Sequence, residues 1–123
     1  MKKNYKRNWL FKFKSAFVLA SFLLSGTAMA QLSGKYTINK GVAASTTNYT
    51  SFRSFASAIN SKGVSGPVTV DVVAGSGPYS EQVAFSASGT ATNTITINGN
   101  GEKITSSGSY PNFTVIHLNG ADF

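Results

Sequence analysis

One histidine, four carboxylates and no cysteine are all that this 123-residue chain offers to acid–base, nucleophilic or thiolate chemistry. The acids are Asp71, Glu81, Glu102 and Asp122, and the histidine is His117. Cleaving a glycosidic bond takes two carboxyl groups held at a set separation, and no two of these acids are paired by local spacing. A serine nucleophile needs a histidine, an acid and an oxyanion hole. Serines are plentiful, yet none sits in an elbow-type motif. His117 stands between Ile116 and Leu118 and alternates away from their face, so it reads as a surface or ladder residue rather than a base. Asp71 is expected on the outward face of a strand. Glu81 is expected to be solvated or turn-bonded, since a calcium reading would require clustered oxygens. Asn98-Gly99-Asn100-Gly101 lacks the Lys-Ser/Thr of a phosphate loop and reads as a turn. The absence of cysteine excludes disulfides, thiolate zinc sites and a cysteine nucleophile. No catalytic, metal-ligating or cofactor-binding residue is assigned, and no cofactor is expected.

The formal charge of +7 invites a nucleic-acid partner, but its distribution argues against one. Lys2, Lys3, Lys6, Arg7, Lys12 and Lys14 crowd the first residues, with no acid among them. They precede the apolar run Ala16 to Leu24 and then Ser25-Gly26-Thr27-Ala28-Met29-Ala30. A basic start, a short apolar run and an A-x-A ending make a secretory signal peptide. Cleavage is expected between Ala30 and Gln31, with Ala28 and Ala30 filling the peptidase cleft. The apolar run falls well short of the ~20 residues of a spanning helix, so no membrane association is expected after cleavage. Without a cysteine at the cut, a lipoprotein is excluded. Beyond Gln31, Lys35, Lys40, Arg53, Lys62 and Lys103 face the four acids, leaving one positive charge in excess. Displacing counter-ions from phosphates takes clustered cations, so DNA and RNA are not expected partners.

Residues 31–123 suffice for one small domain. Gly34 to Ile38 reads as a first strand and Lys40 to Asn48 as a small-residue connector. Phe52, Phe55, Ala56 and Ile59 then fall at i, i+3, i+4 and i+7, the single apolar stripe of a helix. Thr50 or Ser51 can cap its start, and Gly63 supplies its stop. After Gly66-Pro67 the period changes to two: Val68, Val70 and Val72 alternate with Thr69 and Asp71. Ala74 to Pro78 is a turn, Gln82 to Phe85 a second alternating stretch, and Thr94 to Ile97 the clearest strand. Lys103 to Thr105 and Phe113 to Leu118 follow. Val83 to Ile104 and Ile95 to Val115 suggest a repeat near ~20 positions. The pattern by itself allows a parallel solenoid or an antiparallel sandwich, with a hairpin across Asn98–Gly101 in the second case. Asn48-Tyr49-Thr50 and Asn112-Phe113-Thr114 match the glycan sequon in spacing.

The order of these pieces resembles the opening of right-handed parallel β-helix proteins, the pectate-lyase-like superfamily. The resemblance rests on the helix from Tyr49-Thr50-Ser51-Phe52 to Ala58-Ile59-Asn60, then Gly66-Pro67-Val68-Thr69-Val70-Asp71-Val72. Pro78-Tyr79-Ser80-Glu81-Gln82-Val83 and Asn93-Thr94-Ile95-Thr96-Ile97-Asn98-Gly99 complete it. It is similar above all to large secreted surface proteins of Bacteroidota, which often carry a segment like Leu32–Ile38 just after the leader. Pectin methylesterases share the same opening grammar. The resemblance implies an all-β fold: the first coils of a right-handed parallel β-helix, with Phe52, Phe55 and Ile59 packing a capping helix over its apolar end. It also implies that Tyr79 packs near a turn while Glu81 faces out.

The expected organisation is therefore a signal peptide over residues 1–30 and part of a β-helix domain over 31–123, truncated at its C-terminus because Ala121-Asp122-Phe123 begins an apolar segment that stops. The expected role is that of an exported cell-surface or extracellular protein, structural or adhesive, with glycans or neighbouring surface proteins as partners. This chain by itself is not expected to be an enzyme. The competing readings are part of a polysaccharide lyase or pectinesterase-like enzyme whose active site lies elsewhere, and a small β-sandwich binding module.

Overall fold

Valine at every second position commits residues 68–72 to a strand buried on one face, and that strand forms the middle of the molecule. Val68, Val70 and Val72 are fully buried while Thr69 and Asp71 are half-buried. The computed structural model describes residues 1, 30–106, 108 and 114–121. The proposed leader up to Met29, with Ala28, lies outside the described residues, as do Asn112, Phe113, Asp122 and Phe123; Ala30 and Gln31 are exposed. Among the described residues no helix is long and apolar enough to cross a membrane.

The elements in order are β1 (Leu32–Ile38), β2 (Asn48–Tyr49), α1 (Phe52–Lys62), β3 (Val64–Val72), β4 (Tyr79–Ser80), β5 (Val83–Phe85), β6 (Ile95–Asn98), β7 (Ile104–Thr105) and β8 (Ile116–Leu118). The fold is mostly strand, and every described pairing is parallel. Three sheets result: β2-β1-β3-β6, β4-β7 and β5-β8. The chain thus visits the first sheet with β3, the second with β4 and the third with β5. It then returns to them in the same order with β6, β7 and β8. Val68 stands opposite Ile95, Tyr79 opposite Ile104 and Val83 opposite Ile116.

One alternative falls and one expectation changes. The antiparallel hairpin across Asn98–Gly101 does not form, because β7 pairs with β4, not with its neighbour β6. The step between equivalent positions is 27 residues in the first sheet, from Asp71 to Asn98, instead of about 20. Loops of unequal length separate the strands, so spacing between look-alike residues misidentifies the partners.

The helix follows its sequence signals. Ser51 is the N-cap, and its hydroxyl accepts from the Ser54 amide while the Ser54 hydroxyl accepts from the Ser51 amide, a reciprocal capping box. At the other end Gly63 adopts φ 68°, which favours glycine, and its amide donates to the Ile59 carbonyl at 2.8 Å. The stripe Phe52, Phe55, Ala56 and Ile59 is buried as expected, and the helix packs on β1, β2 and β5. Phe55 meets Tyr49 edge-on at 5.4 Å between centroids and Phe85 at 6.1 Å. Phe52 meets Tyr79 edge-on at 5.1 Å. With Ile38, Leu32, Val83 and Ile95 these residues form one apolar core.

The last strand departs from expectation. Ile116 and Leu118, read as an inward face, are 46% and 52% exposed. They border a hollow of about 250 Å³ that also reaches Phe52, Phe85, Ile97 and Ile104. Among the described residues the apolar interior is therefore covered by α1 on one side and left open on the side of β6, β7 and β8.

Candidate functional site

Two of the carboxylates, Glu81 and Glu102, are drawn into bonds with backbone amides. Glu81 follows β4, and its carboxylate lies against the start of α1. Oε1 accepts from the Phe52 amide at 3.0 Å and Oε2 from the Arg53 amide at 2.9 Å. These are two of the donors that a helix start leaves without intrahelical partners; Ser51 takes the next, from Ser54. The expectation that Glu81 faces outward is corrected: it is half-buried and holds the helix start from the residue that follows β4. A carboxylate suits this position because the helix dipole is positive there.

Glu102 does the same for a loop. Its oxygens accept from the amides of Gly75 and Gly77 at 2.5 and 2.7 Å, joining the turn before β4 to the turn before β7. Gly77 is required for this approach, since a Cβ there would overlap the Glu102 carboxylate. Asp71 accepts from the Asn98 side-chain amide at 2.7 Å across the β3–β6 ladder. It is bonded to its strand neighbour, where the sequence alone read an outward-facing residue, solvated or turn-bonded. Asp122 is outside the described residues.

Asparagines complete the framework. Asn48, buried within the first sequon, donates to the carbonyls of Asn39, Val42 and Ala43 and accepts from the Thr37 hydroxyl. Its side chain organises the connector. Asn60 on α1 donates to Ala84 and accepts from the amides of Ser86 and Ala87, which ties the helix to the outer edge of β5. Asn100 donates to the Val72 carbonyl. No buried side-chain polar atom lacks a partner among the described residues. Tyr79 is buried near the turn, as expected, with its hydroxyl against Ser76 at 2.7 Å. Burial pushes the Tyr49 phenol above its ordinary value, and Tyr36, 5.9 Å away between ring centroids, adds to the rise.

His117 is exposed on β8, in register with Ala84. The shallow hollow beside it is lined by Gln82, Val83, Ala84, Thr114 and His117, a set without a carboxylate, lysine or arginine. Among the described residues no three of His, Cys, Asp and Glu gather as they would around a metal ion.

A surface groove of about 380 Å³ lies where the helix start meets β4. Lys40, Thr50, Ser51, Arg53, Pro78, Tyr79, Ser80 and Glu81 line it. Lys40 donates to the Pro78 carbonyl at 2.7 Å and stands 5.4 Å over the Tyr79 ring, a favourable cation–π placement. Arg53 reaches the Gln82 carbonyl at 3.5 Å. Sequence reasoning missed this groove, because it joins residues from the connector, the helix and β4. No family model, curated protein or solved structure matches the chain.

Proposed function

We propose that this chain is a capped portion of a right-handed parallel β-helix, exported by the leader at residues 1–30 and cut before Gln31. In this reading it serves as a structural or adhesive scaffold at the cell surface or outside the cell. One observation carries the reading: three parallel sheets are visited in order and then revisited in the same order. Such stacking buries a continuous core only between neighbouring layers, so one end needs a cover. The apolar stripe of α1 and the bonds of Asn60 to the edge of β5 suit it for that task. On the other side, the exposed Ile116 and Leu118 and the edges of β6, β7 and β8, which take no further strand among the described residues, suit the addition of further strands. The polar groups support a scaffold more than a catalyst. Glu81 and Glu102 hold pairs of backbone amides, and Asp71 holds Asn98.

Expression of the full chain in a bacterium with an outer membrane tests the proposal. The expected product lies outside the cytoplasm, starts at Gln31 or its cyclised form by intact mass, and releases no new reducing ends from polysaccharides. A product that retains residues 1–30, or one that cleaves a polysaccharide, would contradict it.

A further inference from the structure

We infer that Asn119 is a site of self-modification, at which the side-chain amide is lost and the residue becomes aspartate or isoaspartate. Glycine follows asparagine three times in the sequence, at Asn98-Gly99, Asn100-Gly101 and Asn119-Gly120. A residue without Cβ leaves its backbone nitrogen open to the side chain before it, so the three pairs share one intrinsic reactivity. The fold separates them.

In the reaction a base in solution takes the proton of the Gly120 amide, and that nitrogen attacks Cγ of Asn119. A new C–N bond forms, the Cγ–Nδ2 bond breaks, and the side-chain nitrogen leaves as ammonia. Water then opens the cyclic imide. Breaking its bond to Cγ gives aspartate; breaking its bond to the backbone carbonyl carbon gives isoaspartate, with an extra carbon in the main chain. The attack requires the asparagine side chain to swing towards the next backbone nitrogen.

Asn98 and Asn100 are held against that movement. Asn98 lies in β6, paired with Asp71, and its side-chain amide donates to the Asp71 carboxylate at 2.7 Å. The Asn100 side chain donates to the Val72 carbonyl at 2.8 Å. Asn119 lies just past β8 and is exposed. Its backbone amide donates to the Phe85 carbonyl at 2.7 Å, while its side chain makes no hydrogen bond among the described residues. Gly120 is exposed too, with φ 72° and open space where a Cβ would stand.

The products change the side of the molecule on which Ile116 and Leu118 are exposed. Either one sets a carboxylate beside the end of β8. Isoaspartate also lengthens the path to Ala121, which packs against the core. Neither export nor the scaffold role is needed for this chemistry, so the two proposals fail separately.

The test keeps the full chain in mildly alkaline buffer and samples it over time. Mass spectrometry of its peptides, with fragmentation, locates each amide lost, and enzymatic methylation counts isoaspartate. Asn119 should convert about fivefold faster than Asn100, the factor carried by one ordinary hydrogen bond, and about tenfold or more faster than Asn98, whose bond is to a charged group. In concentrated urea the three rates should come together. Asp71→Ser should speed conversion at Asn98 alone, and Asn119→Gln should abolish the early product. Conversion of Asn98 or Asn100 as fast as Asn119 in buffer would overturn the inference. The same ranking in urea would also overturn it, by assigning the difference to local sequence instead of to the fold.

Discussion

Replacing Phe55 with alanine is expected to lower the stability of the chain by about 3–5 kcal/mol, the range for removing a buried phenylalanine ring. The ring is wholly buried and lies between Tyr49 on one side and Phe85 on the other. It therefore joins the helix both to the first sheet and to the third. Neither neighbour can follow a shortened side chain without leaving its own strand, so the cavity should persist instead of collapsing. Phe55→Leu fills most of the space and should lose clearly less. Urea unfolding of the full chain and the two variants measures both differences. A loss below about 1 kcal/mol for Phe55→Ala, the size of an ordinary surface change, would mean that the helix is peripheral to the core.

Glu81→Ala is expected to cost about 2 kcal/mol, through two charge-assisted hydrogen bonds at a half-buried site. The first three amides of the helix are all accounted for, two by Glu81 and one by Ser51, so its removal leaves two donors to water or to none. Glu81→Gln should recover only part of the loss, because its amide group accepts at one atom and meets the second helix amide with another donor. The same unfolding measurement, with helical content followed by circular dichroism, checks both variants. Full recovery by glutamine would show that the geometry needs only one acceptor and no charge.

Local periodicity carried the legible part of the fold. The stripe Phe52, Phe55, Ala56 and Ile59, the alternation Val68, Val70, Val72, and the turn at Asn98–Gly101 each depend on residues a few positions apart, and each is where the residues place it. Strands β2 and β4, two residues long, have no period to read, and they exist because a neighbouring strand already offers an edge. The partners of β6 and β7 depend on loop lengths that no local signal fixes. Glu81 meets amides 28 and 29 residues away, and Glu102 meets amides 25 and 27 away. No local pattern foretells such a bond, which is why Glu81 reads as solvated or turn-bonded and Glu102 carries no assignment. The signal that could have pointed to Glu81 is the absence of any acid in the first turn of α1, which leaves its amides needing one from elsewhere. Ile116 and Leu118 have the alternation of an inner face, and alternation alone does not say whether a covering layer is present.

Pairing of β3 with β6, and not of β6 with β7, is the claim on which the rest depends, and the lack of native cysteine makes it directly testable. Thr69 and Thr96 stand in register on adjacent parallel strands, where Cα atoms lie about 4.8 Å apart, within the span of a disulfide. Thr69→Cys with Thr96→Cys should therefore close an intramolecular disulfide on mild oxidation of the folded chain. Thr96→Cys with Lys103→Cys, the pair that a hairpin across Asn98–Gly101 would bring together, should stay reduced. Closure of the second pair and not the first would contradict the stacked parallel arrangement.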